Sequence, residues 1–288
     1  MRLLPIESEQ SFENVGYGKK PKVRLDAGPC YAGLVIIAKN LEESQLVRVN
    51  MTNQNDPRIN CPADFFIDRE KLLGTRIAHD DGVVLFIPFA NFEAETEVGI
   101  FMDAYQTLPG ENIQLSIELG AATAAQIAAG VTPELELHPI FAPLKIHEGK
   151  LIRRRSVKFY DEAIVITKTN ENSFKNPDLS PATNQNIPTI HGIHILEGGN
   201  TITKLEINQK NAAGTSDRKL KVTPAHNNWL LKQNGFVPQA DYVHIVPAYS
   251  RYVYADSLDV SEGAIELRPT VATTDNLTAI YHLVERTA

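Results

Sequence analysis

The sequence has few cysteines and lacks long apolar runs. Two cysteines, Cys30 and Cys61, occur in 288 residues, too few for a four-thiolate zinc site or a disulfide-dense scaffold. The longest apolar runs, such as 34–38 and 83–90, are far shorter than the ~20 residues that span a bilayer. The first residues include acids and a proline, where an export signal needs an apolar stretch of about 7–15 residues. We therefore expect no disulfides, no membrane span and no export signal.

Basic residues are also in deficit. Lys and Arg total 28 against 35 for Asp and Glu, which gives a formal charge of -7. This balance argues against wrapping nucleic acid over a broad surface, so no sequence-specific nucleic-acid partner is expected. One basic cluster stands out, formed by Arg153, Arg154 and Arg155. It is interpreted as a patch that faces a membrane or a neighbouring subunit, with a solvated charged face as the equally simple explanation.

Sequence motifs of catalysis are missing. The sequence has no phosphate-binding loop, no Gly-x-Gly-x-x-Gly, no Gly-x-Ser-x-Gly and no His-Glu-x-x-His. His191 and His194 resemble a ligand pair, but three-residue spacing on a strand predicts that they point to opposite faces. We predict a protein that is not an enzyme, with no catalytic residue and no cofactor-binding residue.

Oxygen-rich loops raise the question of calcium. Hard cations take carboxylate and amide oxygens, which two loops offer: Asn53, Asn55 and Asp56, and Asp80 with Asp81. Asn and Asp side chains also form hydrogen bonds with the backbone in turns at strand ends, which explains these residues without an ion. No cofactor is required by this pattern. Calcium is therefore a candidate structural ion, and no ligand is assigned to it.

Paired carboxylates are the remaining catalytic candidates. Two such pairs are Glu42 with Glu43 and Glu93 with Glu95, and they could flank a glycosidic bond. The sequence places neither a further carboxylate nor an aromatic sugar platform beside them. Solvated loops are the simpler interpretation.

The patterns that are present are those of antiparallel strands. Residues 46–51, 112–119 and 204–208 alternate with a period of two and are bounded by turn residues. Two helices are predicted, over 64–78 and 224–231, with Gly74 and Gly235 near their C-terminal ends. The Ala-rich segment from Gly120 to Gly130 is expected to form a short helix or a packed loop. Trp229, the one tryptophan, is expected to pack between the second helix and its sheet.

The two halves of the chain repeat one another. Residues 29–36 match 188–195, 47–50 match 205–208, 72–73 match 230–231 and 84–88 match 243–247, all 158 or 159 positions apart. A fifth block, 99–101 with 111–113, matches 263–265 with 275–277 at an offset of 164. The ordered matches predict an all-β protein of two tandem eight-stranded jelly rolls, each with a short helical insertion. The predicted domains are 1–145 and 146–288.

This pattern resembles the double jelly-roll major capsid proteins of tailless viruses with an internal membrane, most closely that of the corticoviruses. The likeness lies in the Met1-Arg2 start, the Arg-rich segment 151–155 and the alternating segments 193–195, 205–207 and 277–285, with the 229–231 helix between the last two. It covers nearly the whole chain in pattern, without a diagnostic signature. Asn170 to Asn186 and Gly120 to Gly130 have no obvious counterpart.

The resemblance implies a structural protein of the virion, made and assembled in the host cytoplasm. It implies homotrimers that form pseudo-hexagonal capsomers of an icosahedral shell over a lipid membrane. The implied partners are neighbouring capsomers, the internal membrane or its minor proteins, and a penton or spike protein at the vertices. Residues 1–20 are expected to order only on assembly. A two-domain β-sandwich that binds carbohydrate or acts as an adhesin remains the alternative, followed by a sandwich-fold hydrolase.

Overall fold

The computed structural model describes residues 11–76, 78–80, 82–92, 94, 97–151, 156–176, 188–197, 202–210, 215–247, 258–260 and 263–285. The chain divides into two compact units, residues 1–159 and 160–288. One strand, Ser156–Ile164, contributes residues to both units. The domain limit proposed from the sequence, between residues 145 and 146, stays a prediction.

The first unit consists of two four-stranded sheets with helices in their connections. Its strands are β1 (Lys22–Leu25), β2 (Cys30–Lys39), β3 (Leu46–Asn53), β4 (Asp56–Pro62), β5 (Val83–Pro88), β6 (Tyr105–Gln106), β7 (Ile113–Leu119) and β8 (Glu134–Phe141). One sheet contains β1-β7-β3-β4, and the other contains β5-β2-β8 with β6 also beside β2. The helices are α1 (Asp64–Leu73), α2 (Glu97–Phe101) and α3 (Ala124–Ala129). A short hairpin, β9 (Ile146–His147) with β10 (Lys150–Leu151), follows.

Alternation along the strands builds the core of this unit. Leu34, Ile36 and Ala38 of β2 are 0% exposed, whereas Val35 and Ile37 between them are only partly buried. The same period of two buries Ile113, Leu115 and Ile117 of β7. Because successive side chains of a strand point to opposite faces, each sheet gives one apolar face to the core.

The second unit has corresponding elements. Its strands are β11 (Ser156–Ile164), β12 (Phe174–Lys175), β13 (Thr189–Leu196), β14 (Ile202–Lys210), β15 (Ser216–Val222), β16 (Tyr242–Ile245), β17 (Leu258–Asp259), β18 (Ile265–Val271) and β19 (Leu277–Glu285), and its helix is α4 (Pro224–Gln233). One sheet has the order β11-β19-β13-β16, with β17 also beside β13, and the other has the order β12-β18-β14-β15.

The strand order of the second unit is that of a jelly roll. Without the two-residue β17, the unit has eight strands, of which β11 is the first and β19 the eighth. In these numbers one sheet has the order 1-8-3-6 and the other has the order 2-7-4-5. The first unit repeats this pattern, since β2 lies between β8 and β5 as β13 lies between β19 and β16. The predicted double jelly roll with helical insertions is confirmed.

The sequence repeat is correct except in its last block. β3 lies between β7 and β4, and β14 lies between β18 and β15, so the two strands hold equivalent places in their sheets. The match of residues 47–50 with 205–208 predicts this equivalence. The block at 99–101 lies in helix α2, however, and its supposed match at 263–265 leads into strand β18. The true counterpart of β18 is β7, which starts at Ile113 where β18 starts at Ile265. The offset therefore shrinks toward the C-terminus, instead of growing to 164.

The two predicted helices exist with different ends. Helix α1 stops at Leu73 and not at residue 78, because Gly74 adopts a left-handed conformation with φ 68° and caps the helix. Helix α4 starts at Pro224, and the Thr223 hydroxyl accepts a hydrogen bond from the His226 amide. Among the described residues, no helix is long and apolar enough to cross a membrane.

The expectation that residues 1–20 order only on assembly is wrong for residues 11–20. Phe12 is buried, and Glu13 forms a β-bridge with Lys22. The Gly18 amide donates to the Gly120 carbonyl at 2.8 Å, and the Tyr17 hydroxyl donates to the Asn40 carbonyl at 2.7 Å. Backbone hydrogen bonds to its own unit hold this segment, a source of order that side-chain periodicity does not reveal. Residues 1–10 lie outside the described residues.

The aromatic cluster around α1 gives a test of the core. Phe66 is 0% exposed, and its ring centroid lies 5.3 Å from those of Phe65 and Phe159. We expect Phe66→Ala to lower the free energy of unfolding by about 3–5 kcal/mol, because a cavity replaces the ring. Urea unfolding checks this, with Ile127→Ala at a 70% exposed position as the control, expected within about 0.5 kcal/mol of wild type. Equal losses of unfolding free energy in the two variants would contradict the burial of Phe66 in the aromatic cluster.

Candidate assembly surface

The basic cluster predicted to face a membrane or a subunit lies outside the described residues. Arg153, Arg154 and Arg155 fall between Leu151, the last residue of β10, and Ser156, the first residue of β11. Its role stays a prediction. Among the described residues, the surfaces available for assembly are those of the helices and the outer faces of the sheets.

The first of the two loops proposed for calcium is engaged in a turn, a hydrogen bond and an ion pair. The Asn53 amide donates to the Tyr105 hydroxyl at 2.8 Å, and the Asp56 carboxylate accepts from Arg58. Gln54, at the tip of this hairpin, has φ 55°, a left-handed conformation typical of tight turns. Asp80 is exposed, and Asp81 lies outside the described residues. In the described part of the chain, no three His, Cys, Asp or Glu side chains are grouped to hold a metal ion.

Of the two carboxylate pairs considered for glycosidase chemistry, the described one, Glu42 with Glu43, is engaged in a helical cap and in ion pairs. Glu43 forms ion pairs with Arg76 at 2.8 Å and Lys71 at 3.6 Å, and Glu42 caps the short 3-10 turn Glu43–Gln45. Glu93 and Glu95 lie outside the described residues. The charge of Glu43 is balanced by its neighbours at a half-exposed position, which suits a salt-bridged surface.

His191 and His194 contact two different partners. The ring centroid of His191 lies 5.3 Å from that of His282 on β19, whereas that of His194 lies 5.1 Å from that of His244 on β16. All four rings are buried. Gly192 makes room for this arrangement, because a Cβ at that position would come 2.8 Å from His194 Nε2. His244 and His282 were not predicted from the sequence as partners of this pair, although each stands on a strand adjacent to β13.

The hydrogen bonds around His244 set its tautomer. Its Nε2 lies 3.0 Å from Gln239 Oε1, which only accepts, so the proton of the neutral ring is on Nε2. Its Nδ1 therefore accepts from His194 Nδ1 at 2.9 Å. Burial lowers the pKa of His244 to about 4, because the charged form loses its hydration. The hydrogen bond from His194 to the neutral His244 ring is thus a directional link between β13 and β16.

Helix α4 presents an apolar surface, contrary to the prediction for Trp229. Trp229 is 57% exposed and does not pack against the sheet. The helix buries only Asn227 and Leu231, and the Asn227 amide donates to the His244 carbonyl at 2.7 Å. Val237, just beyond the helix, is 53% exposed. One edge of α4 anchors it to the sheet, while the Trp229 edge is open.

The outer face of the sheet containing β14 and β18 is charged. Glu206 lies 3.2 Å from Lys204 Nζ and 3.5 Å from Lys221 Nζ, and Arg268 bonds Glu266 at 3.1 Å. Burial raises the pKa of Glu266, but hydrogen bonds from Ser173 and Arg268 outweigh it and hold that pKa below its ordinary value. Such a half-buried ion-pair ladder suits a polar surface better than an apolar contact.

Two further features lie on the first unit. A groove of about 450 Å³ over the outer face of β2 and β5 is lined by Val35, Ile37, Glu70, Thr75, Ala78, His79, Val84 and His138. Glu70 in this groove is paired with Arg76 at 3.0 Å. Helix α3 buries none of its residues and is held at its N-terminus by Thr123 and Gln126. The Ala-rich segment 120–130 therefore contains an exposed helix at the surface of the first unit.

Comparison with protein families gives matches over both units. A model described as the viral coat protein P2 N-terminal domain matches residues 6–138. A model described as the viral coat protein P2 C-terminal domain matches residues 157–287. No curated protein is detectably similar in sequence.

Solved structures match the fold along nearly the whole chain. The major capsid protein P2 from bacteriophage PM2 has a TM-score of 0.77 at 16% identity, with 96% of each chain covered. An atomic structure of Sulfolobus Turreted Icosahedral Virus gives 0.64 at 12% identity, covering 99% of this chain and 91% of that one. A quasi-atomic PBCV-1 virus capsid gives 0.60 at 12% identity, covering 99% and 95%. At these identities the likeness concerns the fold.

The buried, neutral ring of His244 predicts that the protein is sensitive to acid. Because the pKa of His244 falls from 6.5 to about 4 on folding, the unfolded chain binds more protons between these values. The stability from this residue is present above pH 6.5 and is lost as the pH falls toward 4. Between pH 7 and pH 5 we expect it to account for about 2 kcal/mol of the fall in unfolding free energy.

Urea unfolding at both pH values measures this contribution. His244→Gln is expected to lose about 2 kcal/mol less stability than wild type over the same interval. His147→Gln is the control, because the His147 side chain is 71% exposed and beside Glu148. Identical pH slopes in wild type and His244→Gln would refute the role of the buried ring.

Proposed function

This chain belongs to the viral coat protein P2 family, and we propose that it is a major capsid protein that forms homotrimeric, pseudo-hexagonal capsomers of an icosahedral shell. As a viral coat protein it is a component of the virion. The observation that carries the proposal is that each of the two jelly rolls matches its own domain of this one coat protein family.

The duplication gives the physical basis for the capsomer. Three copies of a chain with two similar units present six similar units around one axis, so a three-fold ring has nearly six-fold outer edges. Such edges allow each capsomer to meet its neighbours through repeated contacts. Individually weak contacts become strong when many act together in a shell.

An internal membrane is the proposed inner partner of this shell. Arg153, Arg154 and Arg155 are three consecutive cations in a chain of net charge -7, and anionic headgroups attract such clusters. A neighbouring subunit, minor membrane proteins and a penton or spike protein at the vertices are the other proposed contacts. Assembly in the host cytoplasm belongs to the same proposal.

We further propose that the role is structural and not catalytic. Two carboxylates of the first unit, Glu43 and Glu70, are each paired with Arg76, which suits salt-bridged surface residues. The carbohydrate-binding alternative is not favoured, because sugar sites combine several exposed aromatic rings. Among the described residues, Trp229 is the one strongly exposed aromatic side chain.

The oligomeric state tests the proposal directly. Light scattering of the purified protein is expected to give three times the chain mass of 31.9 kDa. At high concentration the trimers are expected to form sheets or shells. A protein that stays monomeric across the concentration range would overturn the capsomer, and a glycan screen would then test the alternative.

Calcium is the proposed structural ion of the assembled state. Repeating the mass measurement with added calcium and with a chelator is expected to show larger or more stable assemblies with calcium. Magnesium at the same concentration controls for ionic strength. Identical masses and melting temperatures in all three conditions would remove calcium from the proposal.

A further inference from the structure

Strand β1 and the residues just before it carry a row of cations on one face. Lys20, Lys22 and Arg24 occupy alternate positions, and all three side chains are exposed. The residues between them, Pro21 and Val23, are buried in the first unit. Because successive side chains of a strand point to opposite faces, the cations stand together on the outer face of the sheet, with neighbours about 6.8 Å apart. We call Lys20, Lys22 and Arg24 the β1 row.

The backbone holds the β1 row in place. Strand β1 is paired with β7 over its whole length, Lys22–Leu25. The pairing continues before the strand, since the Leu119 amide donates to the Lys19 carbonyl at 2.9 Å. Lys20 therefore lies between two positions that are bonded to β7. The row is a fixed feature of the sheet surface and does not depend on a loop.

The charges of the β1 row are not used inside the first unit. Within the described ranges of the chain, none of its three cations lies within ion-pair distance of a carboxylate. Other cations of the same unit are paired: Lys39 lies 2.6 Å from Glu136, and Arg76 lies 3.0 Å from Glu70. The row thus carries positive charge that is available to a partner.

The carboxylates that border the row do not neutralise it. Glu13, Asp26 and Glu118 are exposed around it. Glu118 stands opposite Arg48 of β3, so a cation flanks it on that side as well. With Lys19 and Arg48 counted, five cations and three carboxylates share this region. The region is therefore positively charged in a chain of net charge -7.

We propose that the β1 row binds the anionic headgroups of phospholipids at a membrane surface. The inference rests on the proposed function, in which the shell covers a membrane. A sheet face presents its cations together to a planar partner, and each cation near an anionic membrane strengthens binding about fivefold. The neighbours of the row on β7, Gln114 and Ser116, are polar. The contact is therefore electrostatic and needs no insertion into the bilayer.

Two other roles of such a row are separated from this one by experiment. Nucleic acid is a second polyanion that attracts cations, although the net charge of the chain opposes a broad contact with it. Charged side chains on an edge strand also prevent pairing with the strands of another chain, and β1 is the edge of its sheet. Binding to DNA and aggregation are therefore measured beside binding to lipid.

Flotation with lipid vesicles tests the inference. Full-length protein is mixed with vesicles of phosphatidylcholine alone or with about one third phosphatidylglycerol, at about 0.05 M and about 0.5 M salt. Wild type is expected to bind the anionic vesicles at low salt and to be released at high salt, because ions screen the charges. Lys22→Gln combined with Arg24→Gln is expected to weaken this binding about tenfold or more, since two cations of the row are lost.

A second double variant controls for the change in net charge. Lys168→Gln combined with Lys232→Gln removes the same charge from exposed positions of the second unit. It is expected to change vesicle binding less than about twofold, because these side chains lie outside the row. Circular dichroism confirms that both double variants fold, and light scattering measures their association. Binding to double-stranded DNA is measured for each protein at the same two salt concentrations.

The outcomes separate this inference from the proposed function. Equal vesicle binding by wild type and the β1-row variant would overturn the row and leave Arg153, Arg154 and Arg155 as the proposed membrane contact. Equal binding combined with aggregation of that variant would assign the row to protection of the edge strand. Wild type that binds DNA but no anionic vesicle would overturn lipid as the partner. The oligomeric state of wild type decides the capsomer independently of all three results.

Discussion

The fold depends on the backbone hydrogen bonds of two long central strands. β2 lies between β5 and β8, and β13 lies between β16 and β19, so both edges of each strand are paired. An unpaired backbone group buried in a core is costly, and these strands run through the middle of their units. Their partners are distant in sequence, which forces the crossing connections of the jelly roll. The helices α1 and α4 lie in one such connection in each unit.

The same framework serves different purposes in the two units. Val35 on β2 and His194 on β13 are equivalent in the repeat, and both point away from the core of their unit. Val35 lines an open apolar groove, whereas His194 is buried beside His244 under the α4 region. A hydrogen bond between two buried histidine rings is directional and favours one register of the two strands, which an apolar contact does not do. Duplication supplied the framework, and substitutions on its outer faces distinguished the two copies.

Much of the fold could be predicted from the sequence because strand signals are local. Alternation at 46–51 and 112–119 depends only on residues close together in the chain, and the matches between the halves repeat such local patterns 158 or 159 positions apart. The error at 99–101 arose because a glycine followed by two apolar residues fits either a helix or a strand. The order of residues 11–20 was missed because main-chain atoms provide it. The position of Trp229 could not be inferred, since burial of a helix face depends on which segments distant in sequence pack against it.

The latest of the described strands is also an internal strand of its sheet. β19 ends at Glu285, yet it lies between β11 and β13. When the chain has emerged from the ribosome only as far as residue 276, the second unit therefore lacks the strand that joins β11 to β13. Contacts between such distant segments form slowly, so this sheet closes only after residues 277–285 have been synthesised. The order of synthesis thereby leaves the facing edges of β11 and β13 unpaired until β19 exists.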